Sequence, residues 1–390
     1  MQSPARNLVV LIGGIAVVAA AAYGLDARGP ATTTSVVPQS SSQSESTSAS
    51  RSKGGTPHSS TDRAQTATTS RPTTVPTTSP RGHTPFTIAF GGDVHFEGVI
   101  RPQLDANPDQ ALAPIAAMLQ SADIAMVNLE TAITTRGTKA PKEFNFRAPP
   151  TAFRALRGAG IDVVTMANNH GVDYGSVGLE DSIAAAASTS FPAVGIGHNE
   201  AEAYAPWRTV IRGERVSIIG ATDVLDANLE LSWTASATRG GLASAKRRDR
   251  LVAVIRAERI HADTLIVYLH WGAEMRSCPT NAQTNLARAL VDAGADVIVG
   301  SHAHVLLGGG HLDNAYVDYG LGNFVFYTHG GITARSGVLT LTIMGRTTTA
   351  STWQPATIQR GIARPTPPGA ATARALDAWT AARGCTGLAP

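Results

Sequence analysis

Past Pro85 the chain alternates short apolar, β-branched runs with longer stretches of helical spacing. The runs fall at Thr87–Phe90, Ile124–Asn128, Val163–Ala167, Val216–Gly220, Leu265–Leu269, Val297–Gly300 and Ala315–Tyr319, and each stops in a polar or glycine-rich cluster. Helical patterns fit near Gln110–Gln120, Pro150–Ala159, Gly178–Ala187, Arg248–Ile260 and Gln283–Ala293. This alternation predicts a layered α/β domain with buried strands. After about Gly345 the pattern weakens; Arg364–Pro368 is proline-rich, and an alanine-rich helix is expected over Ala370–Ala382.

The first 85 residues read differently. Arg6 precedes Leu8–Ala22, a run with no charge and no strong polar group. That length suits the apolar core of a signal peptide and falls short of the ~20 residues of a comfortable membrane span. Export is therefore expected, with the segment either cleaved near Ala19–Ala22 or kept as an anchor. About half of the residues from Ala31 to Pro85 are Ser or Thr, with Pro scattered among them. Such a stretch cannot bury enough apolar surface to offset its ordering entropy, so it reads as a disordered stalk. The expected organisation is a signal or anchor over 1–28, a linker over 29–85, a folded domain over 86–345 and an extension over 346–390.

Charge narrows the function classes. The 390 residues carry 32 Lys and Arg against 29 Asp and Glu, a formal +3. The stretch from Asp26 to Pro85 holds six basic and three acidic residues, and the residues after Pro85 sum to about −1. The folded part is thus not basic, which gives no support to nucleic-acid binding. Two cysteines exclude a multi-cysteine metal site; in an oxidising compartment Cys278 and Cys385 are candidates for a disulfide tying the tail to the loop after His270. Trp207, Trp233 and Trp353 read as packing residues. The basic run Lys246–Arg250 reads as a solvated helix start, with contact to an anionic polymer as its functional alternative.

The candidate chemistry sits at the ends of the predicted strands, the edge where open α/β sheets bind ligands. These ends read Gly91-Gly92-Asp93-Val94-His95, Asn128-Leu129-Glu130, Asn168-Asn169-His170, His270-Trp271-Gly272 and Ser301-His302-Ala303-His304. Five of eleven histidines lie there. On extended backbone Asp93 and His95 would point the same way, as would His302 and His304. Burying so many polar groups without compensation would cost several kcal/mol, and a metal would compensate them. Mixed imidazole and oxygen donors without thiolate suit Mn²⁺, Fe, Zn²⁺ or Mg²⁺. Seven or eight donors exceed one tetrahedral ion and fit two ions ~3.5–4 Å apart, a clamp for displacement at phosphorus or a carbonyl.

Six motifs in order, Phe90–Asp93, Asn128–Glu130, Ala167–His170 with Asp173-Tyr174-Gly175, His270–Glu274, Ser301–Val305 and Tyr319–Phe324, make the chain resemble the CapA family of poly-γ-glutamate capsule biosynthesis proteins over about residues 86–330. That family looks related to the calcineurin-type metallophosphoesterases. The resemblance implies a four-layer α-β-β-α sandwich. It implies two divalent ions, with Asp93, His95 and His304 on one, Asn169, His270 and His302 on the other, and Glu130 between them. It makes His170 a general acid rather than a ligand, and makes Asn128, Asp173, Glu274 and Asn323 supporting or substrate-contacting residues. Two features depart from the relatives: Glu130 stands where phosphoesterases carry Asp, and His95 is kept where many capsule-family members lack it. The implied function is capsule or envelope polymer biogenesis through metal-dependent hydrolysis or transfer. Its alternatives are a non-catalytic accessory subunit working with membrane synthase or export subunits, and a phosphoesterase acting on nucleotides or phospholipids.

Overall fold

The computed structural model describes residues 82–328 and 330–390; the expected export segment and residues 29–81 of the expected linker lie outside them. Among the described residues no helix is long and apolar enough to cross a membrane.

Two sheets carry the architecture. The larger runs in the order Asn323–Val325, Ile362–Pro365, Thr347–Gln359, Arg335–Met344, Phe86–Val94, Ile124–Leu129, Val163–Thr165, Ala193–Val194. The smaller runs Gly309–Leu312, Ala315–Asp318, Val297–Ser301, Thr264–His270, Glu214–Thr222, Trp207–Ile211. Alternate side chains of the central strands feed different cores. In Thr264–His270, Ile266 and Tyr268 join Phe86, Ile88 and Phe90 of the larger sheet in one cluster. Leu265, Val267 and Leu269 instead pack with Leu251, Ile255, Leu286 and Leu290 of the helices Arg248–Glu258 and Asn281–Ala293. A third cluster sets Ala89, Ala125, Val127 and Val164 against Ile115, Phe153 and Leu179 of the helices on the other side. The layers are therefore helices, larger sheet, smaller sheet, helices. A period of two within each strand produces them, since strands buried on both faces read as unbroken apolar runs.

Parallel pairing brings the functional strand ends to one edge. Phe86–Val94 pairs in parallel with Ile124–Leu129, with Asp93 opposite Asn128. It also pairs in parallel with Asn323–Val325, with Asp93 opposite Asn323. In the smaller sheet His270 stands opposite Thr222 on one side and Ser301 on the other. Gly92 is needed for the second of these arrangements: a Cβ there would lie 1.8 Å from the Gly322 carbonyl oxygen. The helix Asn281–Ala293, which supports the His270 and Ser301 strands, starts with a reciprocal Thr280–Gln283 capping box and stops at left-handed Gly294.

The weakened pattern after Gly345 conceals the longest strand. Thr347–Gln359 pairs antiparallel with Arg335–Met344 from Met344↔Thr347 to Arg335↔Thr357. The expected boundary at 345/346 falls in the turn between them, so residues 347–365 belong to the sheet and are not an extension. The signal was missing because this strand is exposed along much of its length and built from Thr, Ser and Ala around Trp353. The helix Ala370–Ala382 forms where expected, and Cys278 is bonded to Cys385. Trp233 and Trp353 are buried, as packing residues should be. The basic run is largely neutralised: Lys246 pairs with Glu230 at 2.8 Å, and Arg247 and Arg250 pair with Glu200 at 2.7 and 3.1 Å.

Asp318, at the end of a strand of the smaller sheet, is fully buried; Gly320 N–H donates to Oδ1 at 3.0 Å, and Oδ2 has no partner among the described residues. Burial pushes its carboxyl up to about 8, against the opposing pull of that N–H. The folded state therefore holds a proton that the unfolded state releases at ordinary carboxylate pH. Stability should fall by about 1.4 kcal/mol per pH step between the two values. Asp318→Asn is expected to melt several degrees higher than wild type at pH 8 and close to it at pH 4. Parallel melting curves across that range would show that the carboxyl does not titrate there.

Candidate metal centre

Asp93 anchors the centre. Its Oδ1 accepts from Asn128 Nδ2 at 2.8 Å and its Oδ2 from His302 N–H at 3.2 Å. His304 Nδ1 lies 3.4 Å from Oδ2. Burial alone would raise this carboxyl, but His304, His270 and the Asn128 amide outweigh it and hold it well below its usual range. Asn128 also touches His270 Nδ1 at 3.1 Å, and Asn168 Nδ2 donates to Asn128 Oδ1 at 2.9 Å, so a chain of buried amides fixes the floor of the site.

Glu130 sits in the middle. Its side chain is fully buried, and neither carboxylate oxygen has a hydrogen-bond partner among the described residues. Oε1 lies 3.6 Å from His270 Nε2, 3.8 Å from His170 Nε2 and 4.0 Å from His304 Nε2. These gaps are too long for hydrogen bonds and short enough for the groups to share a small cation. Burial, and then the Asp93 carboxylate, push the Glu130 carboxyl well above its usual value.

Three donor sets could each hold an ion: Glu130, His270 and His302; Glu274, His302 and His304; and Asp93, Glu130 and His304. Asn169 joins the first set, its Oδ1 lying 2.7 Å from His270 Nε2. Burial, followed by the neighbouring His304, pushes His302 down to about 3, and its Nδ1 has no partner among the described residues. Burial, then His302, holds His270 well below the usual imidazole value. Burial pulls His304 down as well, but its bond to Asp93 outweighs this and leaves it raised. Buried neutral imidazoles offer lone pairs, which cation binding requires.

One local geometry differs from the expected strand alternation. The strand ends at Ser301, and His302 and His304 adopt left-handed backbone with φ of 94° and 56°. Their rings still sit 5.9 Å apart, so two strained residues place them there, a pattern typical of functional sites. The strand carrying Asp93 slips register between Asp93 and Val94 and ends at Val94. His95 lies one residue past that end, where the charges of His170, His304 and Asp93 still reach its ring. Glu97 N–H meets its Nδ1 at 3.0 Å and Tyr327 N–H its Nε2 at 3.3 Å, and burial pushes the ring down to about 3. It falls in none of the three donor sets.

The supporting residues take definite places. Asn323 Oδ1 meets His304 Nδ1 at 2.8 Å. Asp173 Oδ2 meets His170 Nδ1 at 2.6 Å and accepts from Phe146 N–H at 2.6 Å. Burial lowers His170, an effect that Asp173 opposes. Phe146 lies between His95 and His170, with ring centroids 4.6 and 4.0 Å away. Two of the site's residues escaped the sequence reading. Lys142 is nearly buried, pairs with Asp173 Oδ1 at 2.9 Å and donates to the Asn169 carbonyl. Phe146 forms the stack just described. Both lie in the irregular segment between Ile133 and Arg147, where no strand end marks them.

The fold and this site define a layered α/β protein with a buried centre of carboxylate, imidazole and amide donors at the shared carboxyl edge of its two sheets. Residues 87–328 match the family described as bacterial capsule synthesis protein PGA_cap, and the chain belongs to that family. It is 32% identical over 225 residues to the capsule biosynthesis protein CapA of Bacillus anthracis, covering 56% of this chain and 54% of that protein. It is 30% identical over 221 residues to the PGA biosynthesis protein CapA of Bacillus subtilis, covering 56% and 57%. The chain thus spans little more than half the length of these relatives. Among solved structures, a phosphatase from Mycoplasma pneumoniae overlaps 76% of this chain and 97% of its own, with a TM-score of 0.45 and 13% identity.

Proposed function

We propose that this is an exported protein of capsule or envelope polymer biogenesis whose domain, of metallophosphoesterase type, hydrolyses or transfers a phosphoester or amide bond with the help of two divalent cations. Poly-γ-glutamate is the polymer that the relatives' names suggest. The observation that carries the reading is Glu130: a buried carboxyl with both oxygens unpartnered, ringed by three imidazoles at 3.6–4.0 Å. An acid so placed costs several kcal/mol unless a cation joins it. Asp93, Glu130, Asn169, His270, His302, His304 and Glu274 would hold the ions, and Mn²⁺, Fe or Zn²⁺ suit that donor set. When bound, such ions supply Lewis acidity and lower the pKa of an attached water.

The chain's own residues supply the rest. Asn128, Asn323 and Ser301 orient the ligating groups through their contacts with His270 and His304. Asp173 orients His170 so that Nε2 faces the centre, where it can hand a proton to a leaving group. Full-length chain purified without chelator is expected to carry about two equivalents of transition metal by elemental analysis. Added Mn²⁺ is expected to raise its hydrolysis of an aryl phosphodiester. A folded chain with no metal and no response to Mn²⁺ would leave the accessory-subunit reading in its place.

A further inference from the structure

A cavity of about 550 Å³ lies beneath the helix Ala370–Ala382, largely outside the matched family segment. That volume is typical of a ligand site. Its lining includes Trp353 and Trp379, which stack with centroids 4.0 Å apart, and the guanidinium residues Arg335 and Arg374. Both arginines are exposed, and neither has an acidic partner within ion-pair distance among the described residues. Ala371, Ala375 and Ala378 face the space and leave it open.

Three lining segments lead out of the metal centre. Val305 and Leu306 follow His304 directly. Ser277 lies three residues past Glu274. Ser336 donates to the carbonyl of Asn323, the residue that holds His304. The roof is pinned at its far end, where Cys385 bonds to Cys278 and Arg383 Nε donates to the Gly309 carbonyl at 2.8 Å. A fixed roof means little ordering cost on binding.

We propose that this cavity is a subsite for a carboxylate-bearing chain that runs on into the metal centre, with the tryptophans packing its methylene segments and Arg335 and Arg374 pairing with its carboxylates. The inference rests on the polymer reading above and adds the place where such a chain would be held. An anionic occupant follows from two unpaired cations on a wall whose other lining residues are apolar or hydroxyl-bearing and uncharged. The chain's own Ser/Thr-rich segment is a poor candidate, because from Asp26 to Pro85 it carries six basic residues against three acidic ones.

The test is equilibrium binding of a fluorescein-labelled oligo-γ-glutamate to three full-length proteins. These are wild type, Arg335→Glu/Arg374→Glu, and Arg154→Glu/Arg256→Glu as a control with the same change in net charge at residues that do not line the cavity. Thermal melts establish that each variant is folded. The groove variant is expected to bind at least tenfold more weakly, with the control within about threefold of wild type. Equal binding by wild type and groove variant, or an equal loss in the control, would overturn the subsite and leave the polymer reading standing. No binding by folded wild type would overturn both.

Discussion

A Glu130→Gln chain should bind divalent cations at least ~100-fold more weakly than wild type, yet melt no lower when cations are absent. Both halves follow from the same geometry. Without a cation the buried Glu130 carboxyl has no hydrogen-bond partner and stands beside Asp93, so its charged form is strongly disfavoured. Glutamine keeps the shape and removes the ionisable group. With a cation the balance reverses, because Glu130 belongs to two of the three donor sets and supplies their shared negative charge. Loss of groups that merely orient a ligand already costs ~10–100-fold in affinity, so loss of this ligand should cost at least the upper end. Titration calorimetry with Mn²⁺ and paired melts with and without it measure the two effects. At a cation concentration 100 times the dissociation constant, wild type should gain about 2.7 kcal/mol that the variant forfeits. An unchanged Mn²⁺ affinity would remove Glu130 from the ligand set. A large drop in the cation-free melting temperature would mean that the carboxylate is itself a structural anion.

The sequence exposed most of this centre because parallel strands deliver their ends to one edge, and polar residues there interrupt otherwise apolar runs. Asp93, Glu130, His270, His302 and His304 come together across more than two hundred positions for that reason. Strand alternation carries no information beyond the last ladder bond. The pairing of His302 with His304 depends on left-handed backbone that no period of two predicts. Lys142 and Phe146 were invisible because an irregular segment has no periodicity to disturb, and only the folded chain shows their contacts with Asp173 and His170. The strand Thr347–Gln359 was hidden by its polarity: its ladder with Arg335–Met344 is backbone chemistry, which side-chain patterning reports only when one face is strongly apolar.

His170→Ala is expected to slow the cleavage of substrates with poor leaving groups by ~10²–10⁴, the usual worth of a positioned acid, while metal content stays at the wild-type level. His170 is outside every donor set, so the ions do not depend on it. Its Nδ1 is committed to Asp173 at 2.6 Å, and Asp173 is held in turn by Lys142 at 2.9 Å and by the Phe146 N–H. Phe146 stacks on the ring and restricts its tilt. The free Nε2 is thus aimed at the centre, 3.8 Å from Glu130 Oε1. A proton donor matters in proportion to how badly the departing oxygen needs a proton. The same variant should therefore lose less than about tenfold on a nitrophenyl ester, whose leaving group departs as a stable anion. A purely structural role would slow both substrates alike, and a ligand role would lower metal content. Parallel rate losses across the leaving-group series, or a fall in bound metal, would take the acid's role away from His170.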